Sequence, residues 1–145
     1  MAVTLGLVEN NVIHYKNKKE AGRRLALAAL AGVYGRTVES SGPIYDSMKI
    51  EGAAIRLTFT HLGGGLVANG GPPLKTFQIA GPDHKILWAD AVIDKDTLLV
   101  SSPQVPTPVA VRYAWSDNPI GFNLYNQASL PASPFRTDHW PWQEK

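Results

Sequence analysis

Beyond Pro43 the chain shows no run of helical periodicity, and this narrows its fold more than any other feature. Short alternating runs take over, each closed by turn residues. Residues 53–60 set Ile55, Leu57 and Phe59 against Ala54, Arg56 and Thr58. Residues 74–80 oppose Thr76 to Phe77 and Ile79. A Gly81-Pro82-Asp83-His84 turn leads into 85–91, and an Asp94-Lys95-Asp96 turn leads into 97–101. The proline-rich stretch from Pro103 to Pro108 leads into 109–115. A period of two turns one face of each run toward a core. Several strands at this spacing predict an antiparallel β-sandwich or jelly roll. Residues 116–145 have little periodicity and are expected to wrap the sandwich in extended structure, with Trp140 and Trp142 used for packing.

The segment before Pro43 reads differently. Residues 2–8 are apolar and rich in β-branched side chains, which predicts a buried strand. A helix over 17–34 follows. Asn17 can cap it, and Glu20 stands at the capping-box spacing. Leu25, Leu27, Ala28, Ala29, Leu30, Val33 and Tyr34 form a wide apolar surface, and Gly35 can end the helix in a left-handed conformation. Gly22 inside the helix costs about 1 kcal/mol relative to Ala, which close packing on a sheet would explain. One strand and one helix normally lie on a parallel sheet, yet no further strand–helix alternation follows. Alone, the pair would turn an apolar face to solvent or to a partner. The fold class predicted is therefore α+β, with units at 1–36 and 42–138, a polar boundary at 37–43 and a tail at 139–145.

With 145 residues the chain can bury one good core. Hydrophobic residues make up 44% and charged residues 18%, a balance that argues against disorder. The net charge is only +2, without the basic face of a nucleic-acid binder. The absence of cysteine excludes disulfides, thiolate zinc sites and a cysteine nucleophile. No apolar run is long enough to span a membrane, and residues 1–8 lack the basic start of a signal peptide.

Among the polar residues, His14 leads. A loop histidine before a capped helix can serve as general base for a serine hydroxyl when a carboxylate holds its other ring nitrogen. From pattern alone, a helix-start histidine without chemistry is the simpler reading. Glu9 and Glu20 flank it at spacings unusual for an orienting acid, and Val12 occupies the position where an acid would help. No Gly-x-Ser-x-Gly elbow occurs anywhere in the chain. Gly63-Gly64-Gly65 lacks the lysine and following helix of a phosphate loop, so a tight turn with positive φ is expected there. His61, His84 and His139 are too dispersed for a metal site, and His84 reads as a turn residue.

These residues bring a family into view. Ile13-His14, Lys16-Asn17-Lys18, Glu20 and Gly22-Arg23-Arg24-Leu25-Ala26 resemble the catalytic-histidine segment and final helix of sialate O-acetylesterases. Ser41-Gly42-Pro43-Ile44-Tyr45, Gly63-Gly64-Gly65-Leu66 and Phe77-Gln78-Ile79-Ala80-Gly81 resemble that family's C-terminal region. So do Val109-Ala110-Val111-Arg112-Tyr113-Ala114-Trp115, Asn123-Leu124-Tyr125-Asn126 and Leu130-Pro131-Ala132-Ser133-Pro134-Phe135-Arg136-Thr137. The resemblance implies a serine esterase of the SGNH type that removes O-acetyl groups from sialic acids or related carbohydrates without a cofactor or metal. It implies that 1–36 match the last strand and helix of the hydrolase domain, that 42 onward match a closing β domain, and that His14 matches the catalytic histidine. A secreted or periplasmic location is implied on the same ground. The sequence departs from the family pattern at Gly6 and Val12, where acids are common, and at Tyr15, where proline is common.

Three readings follow. The chain is expected to be the C-terminal part of a sialate O-acetylesterase-like hydrolase, inactive alone, with the serine lying outside it and an acetylated carbohydrate as substrate of the complete enzyme. Alternatively, it is a non-catalytic β module that binds carbohydrate or docks on the missing hydrolase domain. Exposed Trp88, Trp115, Trp140 or Trp142 on one face would favour sugar stacking. A third reading is a family member whose catalytic machinery has decayed.

Overall fold

The computed structural model describes residues 2–7 and 16–141. Two four-stranded antiparallel sheets face one another. One runs β1 (Ile44–Glu51), β2 (Ala54–Thr60), β7 (Thr97–Ser101), β6 (Asp90–Asp94) in spatial order. The other runs β10 (Phe135–Arg136), β8 (Ala110–Tyr113), β4 (Phe77–Ala80), β5 (Ile86–Trp88). A two-stranded ribbon, β3 (Leu66–Ala68) with β9 (Leu124–Asn126), completes the β structure. The expected β-sandwich and the α+β class both stand.

The alternation of each strand builds the core. Ile55, Leu57 and Phe59 of β2 and Leu98 and Val100 of β7 point inward from one sheet. Phe77 and Ile79 of β4 and Val111 and Tyr113 of β8 meet them from the other. Phe135 stacks on Tyr45 with centroids 5.0 Å apart and touches Phe59 and Tyr113 edge-on or tilted, so one ring ties both sheets. The buried Tyr113 hydroxyl accepts the Leu124 N–H at 3.0 Å, which satisfies its polar end, and burial raises its pKa.

Three strand boundaries move from those expected. The run 85–91 is two strands in different sheets, with the crossing at Ala89, whose N–H bonds the Phe77 carbonyl at 3.1 Å. The run 74–80 becomes a strand only at Phe77, because Thr76 sits at φ +64°. The run 109–115 ends at Tyr113, because Ala114 sits at φ +49°.

The helix α1 (Lys18–Gly32) begins where expected, with the Asn17 side chain accepting the Glu20 N–H at 3.1 Å. Gly35 takes φ +62°, and the Arg36 N–H closes the helix on the Leu30 carbonyl at 2.9 Å. Over the described part, 2–7, of the expected strand at 2–8 no strand is formed: residues 2–4 are irregular, and Leu5, Gly6 and Leu7 turn or bend. Strand propensity needs a ladder partner, and no described segment pairs with residues 2–7. The carbonyls of Val3 and Leu5 go instead to the Arg24 guanidinium, at 3.0 and 2.8 Å. Gly22 has no neighbour within 4 Å of where a Cβ would sit, so among the described residues no sheet presses on that face.

Candidate functional site

His14, Val12 and Tyr15 lie outside the described residues, as do Glu9 and Trp142. Gly6 is described. Its φ is +76°, and a Cβ there would lie 2.9 Å from the Phe122 ring. A carboxylate side chain at this position would need a left-handed backbone and a shift of the Phe122 ring.

The other histidines occupy separate places. His61 Nδ1 lies 3.2 Å from Glu39 Oε1, an acid–imidazole pair with no serine hydroxyl bonded to the ring among the described residues. His84 closes the expected turn, donating its N–H to the Gly81 carbonyl at 3.0 Å, and its ring stacks on Trp140 with centroids 4.0 Å apart. Gly63, Gly64 and Gly65 all take positive φ in a tight turn, and a Cβ on Gly63 would press on the Asn126 amide at 2.6 Å. That amide donates to the carbonyls of Ser41 and His61 at 3.0 and 2.9 Å, so the glycine run serves a buried structural bond. No three His, Asp or Glu side chains gather as a metal-ligand set among the described residues.

The start of α1 forms one wall of a cavity of about 560 Å³, facing Tyr125, Gln127 and Ser129 on the ribbon side. Glu20 and Arg23 stand in that wall. Glu20 takes bonds from Arg23 at 2.8 Å and from Arg24 Nε at 2.9 Å. The Arg23 hydrogen bonds lead in holding its carboxyl down at about 2.

The second feature is the outer face of the β10-β8-β4-β5 sheet. Register places Arg136, Arg112, Gln78 and Trp88 in one row across all four strands. Asp138 is buried beneath the arginine end, its side chain only 1% exposed. It takes two bonds from Arg112, at 2.8 and 2.9 Å, and one from the Trp140 N–H at 3.3 Å. Burial works against its charge, but the Arg112 bonds and charge outweigh that and lower its pKa. Arg112 also lies over the Trp140 ring at 5.8 Å, and Arg136 over Trp115 at 5.4 Å. Against this row, a cleft of about 230 Å³ is lined by Trp88, Trp115, Gln78, Thr76, Ser116 and Ile120, among others.

The sequence named Trp88, Trp115, Trp140 and Trp142 as stacking candidates should they lie exposed on one face; Trp88 and Trp115 share this cleft, whereas Trp140 stacks on His84. Gln78 was overlooked, although its position between inward Phe77 and Ile79 marks it as outward. The Arg112–Asp138 bond, spanning 26 residues, left no local pattern to read. Among the described residues the arrangement offers binding chemistry rather than a nucleophile with its base.

No protein-family model matches the chain, and no curated protein matches it. Among solved structures, the chain is similar to a novel carbohydrate acetylesterase from Xanthomonas citri, at 43% sequence identity and a TM-score of 0.92. The match covers 96% of this chain, and the chain spans 32% of the length of that protein.

Proposed function

We propose that this chain is the helix-plus-sandwich portion of a carbohydrate ester hydrolase that removes O-acetyl groups. The substrate is an O-acetylated sialic acid or a related acetylated carbohydrate. The observation that carries this reading is the likeness, along nearly the whole chain, to the Xanthomonas citri carbohydrate acetylesterase. The motif around His14 supports it independently. No serine motif lies within residues 1–145, so the nucleophile comes from polypeptide outside them.

In this reaction His14 removes the proton from the serine hydroxyl as its oxygen attacks the acetyl carbonyl. As the tetrahedral intermediate collapses, His14 returns that proton to the departing sugar oxygen. Water, deprotonated by the same imidazole, then releases acetate and restores the serine. Neither Gly6 nor Val12 supplies a carboxylate to orient His14, so the reading requires one from another position in the complete enzyme. The rest of the hydrolase packs on the helical segment, where Leu25 of α1 and Val33 and Tyr34 just beyond its end are 59%, 78% and 71% exposed. On its own the chain is inactive.

A chimera tests this reading: the matching segment of the Xanthomonas citri enzyme is replaced by this chain, and acetate release from an acetylated carbohydrate is followed. The chimera is expected to turn over, and His14→Ala to lower kcat by about 1,000-fold or more. A folded chimera without activity, or one indifferent to His14→Ala, would overturn the proposal.

A further inference from the structure

We propose that the cleft between Trp88 and Trp115 binds a neutral, β-linked glycan chain, with the two indoles as stacking walls and Gln78 supplying hydrogen bonds. The inference rests on the carbohydrate reading above and adds a site outside the reacting atoms.

Trp88 is the first ground. It sits on the edge strand β5 and is 70% exposed, although a sandwich of this size has a core in which to bury such a ring. Its cross-strand neighbour on β4 is Gln78, an uncharged donor and acceptor. Trp115 is 37% exposed and closes the other side. Flat apolar rings beside a neutral amide suit a sugar whose hydroxyls are equatorial. The axial C–H groups then cover an indole face while the rim hydroxyls reach the amide. The cleft, at about 230 Å³, is smaller than a pocket for a drug-sized ligand (roughly 300–1,000 Å³), so it takes a short stretch of a longer chain.

Backbone conformation is the second ground. Thr76 and Ala114, both lining the cleft, hold positive φ and are joined by the Ala114 N–H to Thr76 carbonyl bond at 3.0 Å. A β-branched residue rarely adopts this conformation, and such departures gather at binding sites. Here Thr76 marks the start of β4 and Ala114 the end of β8, both at the cleft, and the next residue after Ala114 is Trp115.

Charge then selects among sugars. Both arginines of the row are already engaged: Arg112 with Asp138, and Arg136 with the Trp140 carbonyl at 3.1 Å and the Trp115 ring. Neither is left to pair with a sugar carboxylate, and no charged side chain lines the cleft, so its chemistry suits a neutral ligand.

Titration of the 145-residue chain with cellohexaose, followed by tryptophan fluorescence and calorimetry, tests the site. Saturable binding is expected, weakened about tenfold or more by Trp88→Ala and by Trp115→Ala. Gln78→Ala should weaken it several-fold, and Ile50→Ala on the opposite sheet should leave it unchanged. Trp88→Phe, which keeps a ring, should recover part of the loss with an unaltered unfolding transition. Absence of binding, or binding that survives both tryptophan substitutions, would overturn the proposal, as would tighter binding of 3′-sialyllactose than of cellohexaose. A chimera that releases acetate while the chain binds no glycan sinks the cleft alone. Glycan binding without turnover in the chimera sinks the esterase reading alone.

Discussion

The sandwich and the helical segment draw on similar apolar side chains and end with opposite faces. Leu57, Leu98 and Val100 are fully enclosed between the sheets, whereas Leu25 and Val33 of the helical segment stand in the open. The difference lies in partners rather than in propensity. Each inward strand position meets a second sheet, while α1 is held by its polar side, through Arg24 and Glu20. A helix in a stable protein ordinarily gains most of its stability from the packing of its apolar face. On the proposed hydrolase reading, that contribution would come from a surface outside the described residues.

The contrast is tested most severely in the core. Phe77→Ala removes a fully buried ring that contacts Tyr113 at 4.6 Å between centroids, and should cost about 3–5 kcal/mol in urea unfolding. A loss under about 1 kcal/mol would mean that the two sheets do not share one core. Next comes Arg112→Ala, which leaves the Asp138 carboxylate buried. Removing one partner of a buried pair costs about 3–5 kcal/mol, and the remaining Arg136, 3.7 Å away, should hold the loss near the lower end. Asp138 has a depressed pKa in the folded chain, so the stability it contributes is present above its unfolded pKa and is lost as pH falls through the lower folded value. Arg112→Ala should flatten this acid-side decline, which urea titrations across pH would show.

The regions also differed in how far the sequence could be read. The alternation of Ile55, Leu57 and Phe59 revealed β2 and its buried face, because a two-residue period is a local property. Asn17 and Glu20 marked the start of α1 for the same reason. The division of 85–91 between two sheets was not legible, since hydrophobicity does not encode where a chain changes partner. The apolar composition of 2–8 suggested a strand, but pairing decides, and among the described residues none is present at 2–7. For the site, Trp88 and Trp115 were two of four tryptophans named as stacking candidates, and no local pattern marked that these two share a cleft beside the positive-φ residues Thr76 and Ala114. His14 drew its role from motif resemblance, and its surroundings remain the business of the chimera.

Smaller effects probe the helical side. Asn17→Ala removes the cap and should cost about 1 kcal/mol, seen as faster amide exchange over 20–24 with little change in the sandwich. Equal loss of protection in both regions would show that they unfold as one unit. Acid should separate them in the same way. Glu20 is held at about 2 against an ordinary 4.5, so its support for α1 is complete above pH 4.5 and fades as pH falls toward 2. Arg23 is largely exposed, so salt will screen part of this effect. Helical circular dichroism should therefore decline over that window, and Glu20→Gln should remove the dependence.

The smallest expected change carries the sharpest comparison. Val33→Ser replaces an apolar side chain that is 78% exposed, so the chain alone should stay within about 0.5 kcal/mol of its original stability. If the proposed docking is right, the same position meets the hydrolase portion in the chimera, and burying a polar hydroxyl there should lower the thermal midpoint of the assembled protein. A loss in the isolated chain would mean that Val33 already has a partner within these residues, and the open face of α1 would need another explanation. A chimera whose thermal midpoint is the same with and without the Val33→Ser substitution would place the docking surface elsewhere, leaving the sandwich, rather than the helix, to join the two portions.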